Sequence, residues 1–298
     1  METSELSFEY KDLPALFHLA DSSAVKKQRA YYGVLLLQLG LFLLFAILTL
    51  FAKGNPALIL IQIITLTTIF AIAIYLLVSK SMAQWYSFRA LAESVKTLSW
   101  RFMTKTSPFT EADEEKARAE FDARLTELCT QDPELKTVLG MWEADPRLRL
   151  IPQKMVDLRD TTSEQRWELY RTWRVHDQFQ WYQRKSLRNK RRYLAFTAAY
   201  VLSLFFAIIL LILNYVIASN VTLPFDVLVT LASAFLTWIQ AKRFSELAST
   251  YHQTSREIEH LALYEPPEIT DAALSEFVQN TENAFSREHT TWFARKSS

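Results

Sequence analysis

The side chains best suited to a chemical role form a polar stripe within an apolar stretch in the last third of the chain. In steps of four and three residues, which follow one face of a helix, the stripe contains Asp226, Thr230, Ser233 and Thr237. Carboxylate and hydroxyl groups in this arrangement can line a hydrated path for ions, and a ring of acidic groups at its mouth favours cations. Ordinary packing is the alternative, because Ser and Thr are common where membrane helices meet and can satisfy their hydroxyls on the preceding turn. Asp226 would then cap the first turn of its helix, just after Pro224.

The element that must position this stripe is a helix predicted from Leu223 to Tyr264. Beyond Thr237 the same period continues through positions that are mostly apolar: Gln240, Phe244, Leu247, Tyr251, Thr254, Ile258 and Leu261. A membrane helix hides its polar side chains from lipid, and a soluble helix hides its apolar side chains from water. Both halves are therefore expected to turn this face inward, along one continuous helix that leaves the bilayer.

Four nearly uncharged runs are long enough to cross a membrane, since about 20 helical residues span a hydrocarbon core of about 30 Å. They predict transmembrane helices at about residues 31–52, 57–78, 194–218 and 223–240. The fourth run is short, and becomes convincing as the return half of a hairpin. Turn residues join the runs in pairs, with Lys53–Pro56 in the first hairpin and Ser219-Asn220 in the second.

A second, weaker polar series lies in the second run. Gln62, Thr65 and Thr68 are spaced by three residues, and are a further candidate for a pore lining.

Basic residues lie almost entirely at one end of these runs. The two turns contain only Lys53, whereas the opposite ends carry Lys26, Lys27, Arg29, Lys80, Arg188, Lys190, Arg191, Arg192, Lys242 and Arg243. Because Lys and Arg are enriched on the cytoplasmic side of a membrane, we expect both termini and the long middle segment to be cytoplasmic. The first apolar run starts too late and is too long for a cleaved signal sequence.

The spans and the soluble stretches divide the chain into three predicted parts. Residues 1–105 form a first two-transmembrane repeat, residues 106–160 a cytoplasmic helical connector, and residues 161–298 a second two-transmembrane repeat with C-terminal amphipathic helices. The predicted fold is an all-α membrane protein, in which two transmembrane hairpins (four spans) extend into a cytoplasmic helical bundle.

Helix boundaries outside the spans carry local signals. In the connector, Thr110 followed by Asp113 resembles a capping box. A longer helix is expected from Ser163 into the basic cluster before the third run, and a last amphipathic helix is expected after Pro267.

Residues that would support catalysis are sparse. The chain has four glycines without a glycine-rich phosphate loop, and its five histidines lack a metal-binding spacing. Cys129 has no base near it in the sequence, and is expected to be a small buried residue. The basic and aromatic segment 181–193 suits a membrane interface better than a nucleic acid, because it immediately precedes a span. We therefore expect no catalytic residue, cofactor, metal or nucleic-acid partner.

Several spaced positions in the second half follow a known pattern: Met155-Val156-Asp157-Leu158-Arg159, Arg166, Tyr170, Arg174-Val175-His176-Asp177-Gln178, Trp181-Tyr182 and Asn189, followed near the end by Phe277-Val278, Glu282, Ser286-Arg287-Glu288-His289 and Trp292. They resemble the SLATT domain, a two-transmembrane effector domain associated with bacterial nucleotide-signalling and nucleotide-sensing immunity systems. The first half is similar to a second, divergent copy at Ala20-Asp21, Gln28, Tyr31, Trp85, Ala92-Glu93 and Trp100. Two such domains in tandem would cover nearly the whole chain.

The resemblance implies an effector of the bacterial inner membrane that oligomerises to form a pore, or otherwise permeabilises the membrane, once an infection signal arrives. The implied partners are the lipid bilayer, further copies of the chain and a protein that makes or senses a nucleotide. The shared motifs are structural, so they imply no catalytic residues. The alternative is a non-conducting sensor or scaffold that signals to a soluble partner through its cytoplasmic helices. A small-molecule transporter is less favoured, because the spans carry no charge at mid-depth.

Overall fold

The computed structural model of the chain describes residues 7–217 and 223–294, with side chains up to residue 285. These residues form α-helices joined by turns and short 3₁₀ segments, and they contain no strand. In chain order the helices are α1 (Ala15–Phe51), α2 (Pro56–Val78), α3 (Ser81–Met103), α4 (Glu114–Gln131), α5 (Lys136–Ala144), α6 (Gln153–Arg159), α7 (Ser163–Tyr170), α8 (Asp177–Ile217), α9 (Phe225–Lys242), α10 (Phe244–Ala262) and α11 (Asp271–Ala294). The predicted all-α class is confirmed.

Three helices are long and apolar enough to cross a membrane. They are α1, α2 and the 55-residue rod Ser163–Ile217, in which one π-helical turn, Arg171–His176, joins α7 to α8. Only 11% of the most apolar stretch of each helix is buried within the protein. Helices so apolar and so little covered do not belong to the core of a soluble protein, and the chain is a membrane protein. The predicted fourth span corresponds to α9, which has 18 residues and is not one of the three, so the four-span arrangement remains a prediction.

The predicted hairpin between α1 and α2 is present. Gly54 has a φ of 78°, a left-handed conformation that glycine adopts without steric penalty. The Asn55 side chain then caps α2 by accepting hydrogen bonds from the backbone N–H groups of Ala57 and Leu58, and Pro56 occupies the first helical position. The Gln62 amide of α2 donates to the Thr49 hydroxyl of α1 at 3.0 Å, which ties the two helices together.

The second hairpin pairs α8 with α9. The Asn214 side chain accepts from the backbone N–H of Leu223 at 2.7 Å and donates to its carbonyl at 3.2 Å, which holds the start of the return segment against the end of α8. Further along, the rings of Phe196 and Phe235 lie 6.1 Å apart. The predicted turn at Ser219-Asn220 lies outside the described residues.

The prediction of a single helix from Leu223 to Tyr264 is wrong. The helix is interrupted at Arg243, which has a φ of 51° and a ψ of 39° in the left-handed region, between α9 and α10. Such a conformation costs a non-glycine residue on the order of 1–3 kcal/mol, so surrounding contacts must impose it. In the following helix, Phe244 is 3% exposed and stacks on Phe196 of α8 at 5.6 Å, and Ser186 of α8 donates its hydroxyl to the Ala248 carbonyl at 2.8 Å. These contacts hold α10 in place after the break.

The chain divides into two compact units. The bundle unit comprises residues 1–28, 80–184 and 250–298, and the membrane unit comprises residues 29–79 and 185–249. In the bundle unit, α3 buries Trp100, which is 2% exposed and contacts the rings of Phe8 and Tyr170 at 4.9 and 5.7 Å. The membrane unit holds the apolar runs of α1, α2, α8 and α9.

The capping box predicted for the connector differs from the cap in the structure. The N-cap of α4 is Asp113, whose carboxylate accepts from the N–H groups of Glu115 and Lys116, and Thr110 takes no part in the cap. The carboxylate three residues later was therefore the stronger cap, as its charge suits the helix dipole. Cys129 is 1% exposed, which confirms its predicted burial, and burial raises the pKa of its thiol to about 11.

A buried arginine holds together the loop that leaves α3. Arg159 at the end of α6 is 1% exposed, and its guanidinium lies over the Phe102 ring at 4.9 Å. It donates to three backbone carbonyls, those of Phe102 at 2.7 Å, Phe109 at 3.1 Å and Glu111 at 2.6 Å. These bonds satisfy carbonyls in a turn where the helical pattern has ended.

We predict that Arg159→Leu destabilises the protein by about 3 kcal/mol or more, because it leaves three carbonyls without a donor in a buried site. The measurement is the unfolding temperature of the purified, detergent-solubilised protein. Arg147→Leu is the control, because Arg147 is exposed and pairs with its near neighbour Asp145, and the unfolding temperature of this variant should barely change. Equal losses in the two variants would show that Arg159 is not a structural residue.

Candidate functional site

The predicted polar stripe lies on the surface of α9. Asp226, Ser233 and Thr237 are exposed and Thr230 is half-buried, whereas Ala232 on another face of the helix is 0% exposed. Within a single chain, the expectation that this face packs inward is therefore wrong for its α9 half, whereas Phe244, Thr254 and Ile258 in its α10 half are buried as expected. The stripe is instead available to lipid, to water or to another copy of the protein.

The hydroxyls of the stripe are satisfied by their own helix. Thr230 donates to the Asp226 carbonyl at 2.9 Å, Ser233 to the Val229 carbonyl at 3.0 Å, and Thr237 to the Ser233 carbonyl at 2.8 Å. Each bond reaches back four residues, which lowers the cost of placing a hydroxyl in an apolar environment. The oxygen atoms still have acceptor capacity for water or for a neighbouring helix.

The weaker series on α2 is divided between packing and surface. Thr65 is 6% exposed and Gln62 bonds to Thr49, so both serve contacts within the chain. Only Thr68 is exposed, and its hydroxyl donates to the Ile64 carbonyl at 2.8 Å. Of the two series, α9 is the better candidate for a surface that functions between subunits.

The predicted basic residues lie at or just beyond the ends of the apolar runs in their helices. Lys26, Lys27 and Arg29 belong to α1, Lys80 is the N-cap of α3, Arg188 and Lys190–Arg192 are exposed on α8, and Lys242 and Arg243 end α9. Two of them have ion-pair partners: Lys80 with Glu134 at 3.1 Å, and Arg243 with Glu246 at 2.6 Å.

A buried polar network in the bundle unit was not predicted. Glu282 of α11 is 0% exposed and binds Arg174 in a two-pronged ion pair, with Nε to Oε1 at 2.8 Å and Nη2 to Oε2 at 2.7 Å. The Tyr170 hydroxyl donates to Oε1 at 3.0 Å and the Thr97 hydroxyl to Oε2 at 2.8 Å. The guanidinium also lies over the Phe285 ring at 4.6 Å. Sequence spacing gave no sign of this pairing, because its partners are 108 residues apart.

Electrostatics keeps the Arg174 guanidinium charged. Burial alone would lower the pKa of the Arg174 guanidinium, but the charge and hydrogen bonds of Glu282 outweigh it and raise the pKa above its usual value. Burial, and then the charge of Glu282, raise the pKa of the Tyr170 phenol well above its usual value, so the phenol stays protonated and donates. Neither Arg174 nor Tyr170 is therefore poised for proton transfer near neutral pH, and the network is a structural contact.

No candidate metal site is found among the side chains that the structure describes. In residues 7–217 and 223–285, no group of three or more His, Cys, Asp or Glu side chains is placed to hold a metal ion.

Comparison with known families matches almost the whole chain in two consecutive ranges. SMODS and SLOG-associating 2TM effector domain 3 (SLATT_3) matches residues 14–167, which is more than half of the chain. SMODS and SLOG-associating 2TM effector domain 1 (SLATT_1) matches residues 170–292. The chain belongs to the SLATT family. The predicted tandem of SLATT domains is confirmed, and no curated protein and no solved structure matches the chain.

The SLATT motif residues have structural roles in this fold. Tyr170, Arg174 and Glu282 meet in the buried network, and Arg166 donates to the Thr104 carbonyl and to Asp271. Met155–Arg159 and Arg166, which were predicted to open the second domain, fall within the first SLATT match.

The first SLATT domain has a related ion-pair arrangement on α3. Arg89 bonds to Asp21 of α1 at 3.2 Å and to Glu93 at 2.6 Å. Asp21 and Glu93 are two of the positions that carry the resemblance in the first half of the chain. Both domains thus use motif carboxylates to position an arginine.

We predict that Glu282→Gln destabilises the protein by about 3–5 kcal/mol, because the Arg174 charge then remains buried without a counter-charge. The double variant Arg174→Met with Glu282→Leu should be more stable than either single variant, since it removes both charges. Thermal unfolding of the wild type, Arg174→Met, Glu282→Leu and the double variant gives the coupling energy. Glu276→Gln changes an exposed position on the same helix and should be neutral. Additive losses in the double variant would contradict the pairing.

Proposed function

We propose that this SLATT protein is an effector that oligomerises in the bacterial inner membrane and opens a path for ions. The observation that carries the proposal is the polar stripe of α9, in which Asp226, Ser233 and Thr237 are exposed and Thr230 is half-buried among the described residues. The family supplies the effector role in its name. We assign no catalytic step to the chain.

A conducting path requires several copies. The four apolar helices of one chain are too few to surround a water-filled channel, so subunits must be arranged around an axis. In such a ring, α9 is the natural lining, because it presents hydroxyls at successive turns within an otherwise apolar helix. Asp226 in its first turn would form an acidic ring at one mouth and favour cations.

The proposed orientation follows from charge. With α9 as a fourth span, both turns lie on one side of the membrane with Lys53 as their only basic residue, and the opposite side carries the basic residues at the helix ends. The positive-inside rule then places both termini in the cytoplasm of a multi-pass inner-membrane protein. The bundle unit would face the cytoplasm, where a nucleotide-signalling or nucleotide-sensing partner protein could release the effector. We propose no nucleic-acid partner.

We predict that the reconstituted protein releases dye from liposomes, and that controlled expression depolarises cells.

The lining is tested with Ser233→Cys and Thr237→Cys in a Cys129→Ser background, each treated with a charged thiol reagent. Modification should block release at both positions, because their side chains face water in the conducting state. Phe206→Cys is the matched control, because Phe206 is an exposed apolar residue of α8, and reagent should leave its release unchanged.

Two results would count against the pore. Liposomes that stay sealed under every nucleotide and partner tried would favour the non-conducting sensor or scaffold, in which surface changes on the cytoplasmic helices abolish function while changes in the stripe are tolerated. Release that is blocked through Phe206→Cys but not through the α9 positions would move the path away from α9.

We predict that Asp226→Asn reduces the preference for cations over anions, because it removes the acidic ring without changing the side-chain shape. The measurement is the reversal potential in a potassium chloride gradient. Asp226→Glu keeps the charge and should keep the preference. An unchanged reversal potential in Asp226→Asn would exclude Asp226 from the conducting path.

A further inference from the structure

At the end of α9, the Lys242 side chain lies against two aromatic rings. The Lys242 ammonium is 3.1 Å from the centroid of the Tyr32 ring of α1 and 4.9 Å from that of Trp238. The two rings meet edge to face at 5.7 Å, and the Tyr32 hydroxyl donates to the Ala241 carbonyl at 3.2 Å. Tyr32 is 8% exposed and Lys242 is half-buried. We call Tyr32, Arg192, Trp238 and Lys242 the α9-end cluster.

The cluster has an excess of positive charge. Arg192 of α8 lies close enough for its charge to repel that of Lys242. The sequence of the membrane unit contains only two acidic residues, Asp226 and Glu246, against nine basic ones: Arg29, Lys53, Lys185, Arg188, Lys190, Arg191, Arg192, Lys242 and Arg243.

Neither acidic residue is placed to neutralise Lys242. Asp226 lies at the other end of α9, roughly 24 Å away along the helix axis, and Glu246 is bound to Arg243 at 2.6 Å. Among the described residues no carboxylate pairs with Lys242. A half-buried cation that is repelled by another cation is stabilised by an external anion.

The cluster lies at the ends of two apolar runs. Tyr32 immediately precedes the apolar run of α1 that begins at Gly33, and Trp238 and Lys242 flank the end of the apolar run of α9. Tyr, Trp, Lys and Arg are the residues that membrane proteins place at the membrane–water interface, where the rings contact glycerol and upper acyl carbons and the cations contact phosphate.

We propose that the α9-end cluster is a binding site for a phosphate-bearing anion, with the headgroup of an anionic lipid as its source. Lys242 and Arg192 donate hydrogen bonds to the phosphate oxygens, and the rings of Tyr32 and Trp238 form the wall beside the lysine stem. The bound phosphate neutralises Arg192 and Lys242. Of these two, Lys242 immediately precedes Arg243, where the helix is interrupted. The site depends on membrane insertion and is independent of pore formation.

The test is lipid binding by the full-length protein in detergent, measured by native mass spectrometry. Phosphatidylglycerol should bind more tightly than phosphatidylcholine, and K242Q and R192Q should each weaken it by about fivefold. K190Q removes the same charge from an exposed position of α8 and should keep the wild-type affinity. K242R should restore binding, and Y32F should bind better than Y32L because it keeps the ring.

The outcomes separate the site from general surface charge. Equal losses in K242Q, R192Q and K190Q, or no preference for phosphatidylglycerol, would overturn the proposal.

A second experiment adds millimolar inorganic phosphate. Competition with the lipid supports a phosphate site whose source is soluble, and no competition supports the lipid headgroup. If K242Q does not fold, the proposal is tested by the affinity of R192Q for phosphatidylglycerol, because Arg192 is exposed. Dye release is not a readout, so failure of the pore proposal would leave this result unchanged.

Discussion

The buried ion pair between Arg174 and Glu282 constrains the bundle unit more than any other contact described above. A doubly hydrogen-bonded carboxylate and guanidinium removed from water have one good geometry, and any displacement leaves a charge unpaired. Within the bundle unit, the pair therefore fixes the rotation and the register of the helical segment around Arg174 against α11. Three of the SLATT motif residues, Tyr170, Arg174 and Glu282, build this contact.

The membrane unit handles polar groups differently. Several of its Ser and Thr hydroxyls turn back to their own helices, as in Thr65, Ser203 and Ser233, each bonded to the carbonyl four residues earlier. Such bonds let a helix enter lipid before it has a partner, and they leave the polar face uncommitted. An ion path built from several copies needs such a face, since the lining must be tolerated by the single chain and hydrated only after assembly.

Sequence alone predicted the long elements because their signals are local. Continuous apolar composition identified α1, α2 and the rod that ends in α8, and turn residues such as Gly54 and Asn55 placed the first hairpin. The break at Arg243 was not predictable, because the contact that accompanies it is the stacking of Phe244 on Phe196, 48 residues earlier in the chain. The π-helical turn Arg171–His176 was also not predicted. An extra residue in a π-helical turn shifts the helical face by about 100°, so the period before it does not predict the face after it.

The break also changes what orients the stripe. In a continuous helix the direction of Ser233 and Thr237 would be set by the packing of Phe244 and the residues after it. With a left-handed residue between the two helices, α9 has contacts of its own: Lys242 lies against Tyr32 of α1, and Phe235 lies against Phe196 of α8. The following helix, α10, is held against α8 by Phe244 and Ala248. A change of angle at one residue can be absorbed by its backbone torsions without unpacking the helix that follows. The orientation of the polar stripe therefore depends on the contacts of α9 with α1 and α8, and much less on the period that made the stripe visible in the sequence.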